Sequence, residues 1–262
     1  MNKVSFLTLG CKVNQYETEA MQELFKKRGY EICNENDICD VYVINTCTVT
    51  NLSDRKSRQF ISRAKKLNKD AILAVVGCYS QVAPDEISAI EDVDVIIGTK
   101  NRARIVDLCE ESKKSNLKFN IVSELTKDCG FDVLSIENQE SKTRAYIKIQ
   151  EGCNMFCTYC IIPYARGPIK SRPIDDIYEE AVKLANNGYK EVIITGIHVG
   201  SYGLDLGNDT RLIDVIEKLS TIENLDRIRL SSIEAGIISK DFLIRLKNCK
   251  KGYILLKINR YC

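Results

Sequence analysis

Residues 71–78 read AILAVVGC, six apolar residues closed by Gly77 and Cys78. An unbroken apolar run of that length, without polar alternation, suits a strand buried on both faces. FLTLGC at 6–11 and VYVINTC at 41–47 are built the same way, and Val93 to Ile97 is a fourth run. Helix-like stretches fill the intervals: Gln15 to Arg28 ahead of Gly29, Ser53 to Leu67 with Ser53 as its N-cap, Pro84 to Ile90, and Arg102 to Glu111. This alternation predicts an open, largely parallel α/β domain over residues 1–112.

Outward from that domain the pattern weakens. Residues 113–142 gather acids (Glu124, Asp128, Asp132, Glu137, Glu140) without periodicity and read as a linker. Strand-like patterning restarts at Arg144 to Ile149 and recurs at Glu191 to Thr195 and Arg227 to Leu230. Helices are expected from Pro173 to Gly188, over Leu212 to Leu219 and over Ile238 to Leu246. Residues 143–262 are too few to close eight βα units at this spacing, so an incomplete (βα) partial barrel is predicted.

The chain has 262 residues, a formal net charge of +2, 28% charged residues, twelve Cys and one His. No apolar stretch approaches the ~20 residues of a membrane span, and the N-terminus lacks the pattern of a signal peptide. A cytoplasmic location without membrane contact is therefore expected, where thiols stay reduced. With a single His, all-thiolate ligation is the economical metal chemistry.

Cys11, Cys47 and Cys78 each follow a strand-like run directly and are expected at one carboxyl edge of the parallel sheet, where open α/β folds bind ligands. Three inert core thiols are the other reading. Cys153, Cys157 and Cys160, in EGCNMFCTYC, are spaced Cys-x3-Cys-x2-Cys. Three thiolates so close can wrap one face of an iron–sulfur cluster and leave one iron open to a ligand; a zinc knuckle would need a fourth ligand nearby.

That spacing resembles the radical S-adenosylmethionine (SAM) enzymes, in which the three Cys hold a [4Fe-4S] cluster whose open iron chelates SAM. The resemblance implies that Tyr159 lies against the adenine and that Thr195 and Gly196 contact the methionine moiety. Reductive cleavage then yields a 5′-deoxyadenosyl radical, which abstracts an unreactive hydrogen. TLGCKVNQYETE at 8–19, NTCTVT at 45–50, VVGCYSQ at 75–81, the stretch IKIQEGCNMFCTYCIIPYARGPIKSR at 147–172 and TGIHVGSYGLD at 195–205 resemble the methylthiotransferases, MtaB type. The implied reaction adds a methylthio group at C2 of N6-threonylcarbamoyladenosine at position 37 of tRNA. By the same resemblance Cys11, Cys47 and Cys78 hold a second [4Fe-4S] cluster concerned with sulfur. Implied partners are the tRNA anticodon loop, an electron donor and a sulfur source.

Arg55 and Arg58 belong to a cation-rich helix face that could meet phosphates, though a solvated helix face has the same look. Arg166 and Arg172, just past the second trio, and His198, in a Gly-rich loop, are expected substrate or cofactor contacts. Cys33, Cys39, Cys109, Cys129 and Cys249 fit no ligand spacing and read as structural. Past Lys251 the resemblance stops, ahead of a further strand and a small RNA-binding β-barrel that the family carries; the chain reads as C-terminally truncated. The other readings are a cluster-binding fragment without turnover, or action on isopentenyladenosine in tRNA or on a ribosomal protein.

Overall fold

The computed structural model describes residues 2–48, 51–127, 129–132, 134, 136, 143–230, 232–234, 236, 238–249 and 257–259; the side chains of 51–55, 58, 232, 234 and 257–259 lie outside that description. Two compact units divide them. The first comprises Met1–Asp128, Asp132–Leu134 and Phe156–Arg166; the second comprises Cys129–Phe131, Ser135–Met155 and Gly167–Cys262.

In the first unit the chain runs β1 (Lys3–Thr8), α1 (Lys12–Lys27), β2 (Glu31–Cys33), β3 (Val41–Thr46), α2 (Asn51–Leu67), β4 (Ile72–Gly77), α3 (Cys78–Val82), α4 (Pro84–Ser88), β5 (Val95–Ile97), α5 (Ile105–Ser115) and β6 (Phe119–Asn120). The six strands pair in parallel in the order β2-β1-β3-β4-β5-β6. Consecutive side chains of a strand point to opposite faces. Val41, Val43, Ala74 and Val76 accordingly pack with Met21 of α1 and Ile105 of α5. Tyr42, Ile44, Leu73 and Val75 pack with Phe60 and Ile61 of α2 and with Ile87 of α4. Both faces are covered, which is why β3 and β4 read as continuous apolar runs.

The second unit carries β7 (Arg144–Glu151), β8 (Lys170–Ser171), α7 (Ile174–Asn186), β9 (Glu191–Gly196), α8 (Leu212–Ser220), β10 (Arg227–Leu230), β11 (Ser232–Glu234), α9 (Lys240–Asn248) and β12 (Lys257–Asn259), while α6 (Ile162–Arg166) is counted with the first. A four-stranded sheet has the order β10-β9-β7-β8, parallel except between β7 and β8, and β11 pairs with β12 in parallel. One face of it is apolar: Ala145, Ile147, Val192, Ile194 and Ile228 pack on Ile177, Ala181 and Leu184 of α7 and on Ile213 and Ile216 of α8. Lys148, Gln150 and Thr195 are buried at alternate positions on the other side, together with the apolar Ile193. A mainly parallel sheet with its helices on one face is the layout of a partial βα barrel.

Several local expectations shift. α2 begins at Asn51, so Ser53 lies inside the helix and not at its cap. β6 pairs with β5 and brings Phe119 and Asn120, within the stretch read as linker, into the first sheet. α9 starts at Lys240, capped by the Ser239 side chain, which accepts from Phe242 N at 3.0 Å. Among the described residues no helix is long and apolar enough to cross a membrane.

Leu184 is fully buried between α7 and the sheet. Leu184→Ala removes its packing and leaves a cavity, with an expected stability loss of about 2–5 kcal/mol, to be read from urea unfolding monitored by circular dichroism.

Candidate functional site

In the first unit the sheet order turns between β1 and β3, and the crevice at such a reversal, off the carboxyl ends of the strands, is where open α/β sheets take ligands. Cys11 ends the turn after β1 and caps α1, Cys47 follows β3, and Cys78 opens α3 directly after β4. Gly10, at φ +102°, touches the Cys47 side chain: a Cβ there would stand 2.6 Å from the Cys47 sulfur. Gly77, at φ +101°, lies against Thr46, whose carbonyl oxygen a Cβ would meet at 2.7 Å. Both positions need the left-handed backbone and the bare Cα that glycine supplies.

Two buried asparagines tie the strand ends together. Asn14 Nδ2 donates to the carbonyls of Leu9 (2.9 Å) and Thr46 (2.8 Å), and Asn45 Nδ2 donates to Asn14 O (2.9 Å). Cys11 Sγ donates to Asn14 Oδ1 at 3.5 Å. Arg166, on α6, is buried here: its Nε donates to Cys78 Sγ at 3.1 Å and its Nη2 to Asn14 Oδ1 at 2.8 Å. Its Nη1 and Nη2 also donate to the Glu17 carboxylate, at 2.5 and 3.1 Å. Glu17 pairs in addition with Arg102, which donates to Asp132 at 2.9 Å. Burial pushes the Cys78 thiol up, and the Arg166 guanidinium opposes that shift. Cys11 lies near enough to Cys78 to act on it electrostatically.

The first trio therefore gathers at one edge, with Cys11 exposed and Cys47 and Cys78 buried. Among the described residues no three Cys, His, Asp or Glu side chains close on a point as they would around a single metal ion. Sulfurs from three separate strand ends, with glycine at two of the three approaches and no imidazole, fit a wider all-thiolate group such as an iron–sulfur cluster.

In the second trio, Cys153 belongs to the second unit, where its N–H donates to Gly167 O at 3.0 Å. Cys157 and Cys160 belong to the first, and Cys160 N donates to Cys157 O at 2.9 Å. Gly152, at φ +71°, passes so close to Pro168 that a Cβ would meet its carbonyl oxygen at 1.9 Å. Tyr159 is 84% exposed, and Phe156 and Tyr164 beside it are exposed and stacked edge to face, 6.1 Å between centroids. Thr195 is buried at the end of β9, and Gly196 follows with its Cα against Gln150.

Other expected contacts have partners inside the protein. Arg166 faces the first trio. Arg172 is buried, ion-paired with Glu180, and donates to Asp176 O at 3.2 Å. His198 Nδ1 is bonded to Ser201 Oγ, and its backbone N–H donates to Gln150 Oε1 at 2.7 Å. The side chains of Arg55 and Arg58 lie outside the described residues. Elsewhere on α2, Arg63 pairs with Glu35 at 3.1 Å and Lys65 with Asp94 at 3.1 Å, while Lys56 is exposed beside a cleft of about 440 Å³. Burial pushes the Cys39 thiol up to about 12 and raises those of Cys109 and Cys249, which keeps them protonated and unreactive. Asn14, Glu17, Asn45 and Arg102 are site residues that the sequence reading did not single out. Asn14 and Glu17 stand within the quoted CKVNQYE stretch, and their burial is the property no pattern displayed.

Residues 3–98 match the Uncharacterized protein family UPF0004 and residues 147–259 match the Radical SAM superfamily. The threonylcarbamoyladenosine tRNA methylthiotransferase MtaB of Bacillus subtilis is 46% identical over 93% of this chain and 54% of its own length. The chain belongs to the radical SAM methylthiotransferases. Within that family it is also 40% identical to MtaB of Aquifex aeolicus, over 92% of this chain and 58% of that protein. A tRNA-2-methylthio-N(6)-dimethylallyladenosine synthase of Pelagibacter ubique is 32% identical over 96% and 57%. The chain thus spans a little over half the length of these relatives. The fold is that of the radical SAM methyltransferase TsrM from Kitasatospora setae, with a TM-score of 0.68 and 14% identity over 99% of this chain and 61% of that one. The cofactors of the family are SAM and [4Fe-4S] clusters, two in the methylthiotransferases.

Gly10→Ala forces an unfavourable φ and drives a methyl group into Cys47; Gly207→Ala, at φ +68° with open space around it, carries the backbone strain alone. Strain of this kind costs about 1–3 kcal/mol. Gly10→Ala is expected to lose more stability than Gly207→Ala in parallel urea titrations, and to take up less iron on reconstitution.

Proposed function

We propose that this chain is the sulfur-handling and radical-generating part of a tRNA methylthiotransferase that places a methylthio group on C2 of N6-threonylcarbamoyladenosine at position 37. The observation that carries the reading is the convergence of Cys11, Cys47 and Cys78 on one glycine-lined sheet edge, in a chain that also bears Cys153, Cys157 and Cys160 after β7. In this reading each trio holds one [4Fe-4S] cluster. Bound there with SAM, the two clusters supply a hydrogen-abstracting radical and sulfur chemistry.

The residues of the chain bind and orient. Asn14 and Asn45 fix the strand ends that present Cys11 and Cys47, and Arg166 holds the Cys78 sulfur. Tyr159, exposed, is available to lie on the adenine of SAM, and Thr195 and Gly196 stand at a strand end suited to its methionine moiety. Lys56, with Arg55 and Arg58 of the same helix, is a candidate contact for phosphates of the anticodon loop. Arg172 and His198 act through Glu180 and Ser201, as supports for the loops that carry them. An electron donor and a sulfur source complete the set of partners, and a cytoplasmic location suits all of them.

Threonylcarbamoyladenosine is favoured over dimethylallyladenosine by the higher identity to enzymes named for it, 46% and 40% against 32%. The second reading, a cluster-binding piece without turnover, rests on the span of little more than half of each relative.

Anaerobic reconstitution with iron and sulfide is expected to load about eight iron atoms per chain, and about four when Cys153→Ala or Cys78→Ala empties one trio. Full loading with either variant overturns the assignment of that cysteine. With a reductant and SAM, tRNA bearing threonylcarbamoyladenosine should gain a methylthio group by nucleoside mass spectrometry; loaded chain without product favours the second reading.

A further inference from the structure

Resting on the reading of Cys11, Cys47 and Cys78 as cluster ligands, we propose that Arg166 is a positioning residue of that cluster, whose N–H···S hydrogen bond to Cys78 raises the cluster's reduction potential. Arg166 is 1% exposed, and its guanidinium reaches Cys78, Glu17 and Asn14. Nε donates to Cys78 Sγ at 3.1 Å, while Nη1 and Nη2 donate to Glu17 at 2.5 and 3.1 Å. Nη2 also donates to Asn14 Oδ1 at 2.8 Å, and that oxygen accepts from Cys11 Sγ at 3.5 Å. One planar fork therefore touches Cys78 directly and Cys11 through one intermediary.

The fork sits among ion pairs of both signs. Arg166 and Arg102 face Glu17 and Asp132, all in one chain of ion pairs. The distinctive contribution of Arg166 to the sulfur is thus a directed N–H more than a surplus of positive charge. A hydrogen bond to a ligand sulfur draws density from it and favours the reduced, more negative cluster, which moves the potential upward. A guanidinium spreads its donors over three nitrogens and reaches Glu17 and Cys78 together from this position, whereas a lysine ammonium has its three N–H donors on one atom and, seated on the carboxylate, leaves the sulfur bare. If Arg166 merely neutralised Glu17, lysine would replace it.

The test isolates the first cluster by carrying Cys153→Ala, Cys157→Ala and Cys160→Ala in the full chain, reconstituted anaerobically with iron and sulfide. Arg166→Lys in that background is expected to keep about four iron atoms per chain and the thermal midpoint, while the EPR-monitored redox midpoint moves to more negative potential. A redox midpoint equal to that of the Arg166 background overturns the proposal. Where the lysine variant does not fold, Arg166→Met with Glu17→Gln removes both charges together, leaves Arg102 paired with Asp132, and is expected to give the same negative shift. Loss of folded protein in both variants, read by circular dichroism, assigns Arg166 to folding alone and overturns the proposal too. A background chain that binds no iron overturns instead the cluster reading beneath it, a distinct outcome visible before any Arg166 variant is made.

Discussion

Glu17 is a fully buried carboxylate shared by two fully or almost fully buried guanidinium groups, those of Arg102 and Arg166. Removing one partner of such a group leaves an uncompensated charge in a low-dielectric interior, at a cost of about 3–5 kcal/mol. The arrangement of the first sheet's carboxyl edge follows from meeting that constraint. Arg102 arrives on the turn before α5, Asp132 from beyond β6, and Arg166 from α6, 149 residues along the chain from Glu17. Once Arg166 is seated on Glu17, its Nε lies on Cys78 and its Nη2 on Asn14, so the ion pair that satisfies burial also sets the sulfur environment.

Much of this fold was legible in the sequence, for a definable reason. β3 and β4 are buried on both faces, so residues 41–44 and 72–76 are wholly apolar and the runs stand out. β2, β6 and β8 span three, two and two residues, too few for any pattern; they exist through pairing with longer neighbours. α3 and α6, of five residues each, are likewise below the length at which periodicity can be read. The positions of Cys11, Cys47 and Cys78 were legible because each follows a recognisable strand. The destination of Arg166 was not, since closeness to Cys160 in sequence suggested a substrate or cofactor contact, and only the tertiary structure brings Glu17 and Cys78 to it. His198 and Arg172 likewise have partners inside the protein, Ser201 and Glu180, that no pattern displayed.

The two units solve the problem of covering a sheet differently. The first has helices on both faces and places its chemistry at an edge. The second has its apolar contacts on one face and buries Lys148 with Glu151 on the other, 3.6 Å apart, with the ammonium also 5.0 Å from the Phe131 ring centroid. A buried ammonium needs such partners.

The assignment of Phe156–Arg166 to the first unit, although it follows β7 of the second, means that the two units are interleaved along the chain. A cut in the connector ahead of Arg144 would leave the first body without Arg166 and with Glu17 short of a counterion. The two halves are consequently not interchangeable parts. A chimera that joins the first half of one relative to the second half of another must carry a matching buried ion pair across the junction, and drift at Glu17, Asn14 or Arg166 is constrained to occur in concert.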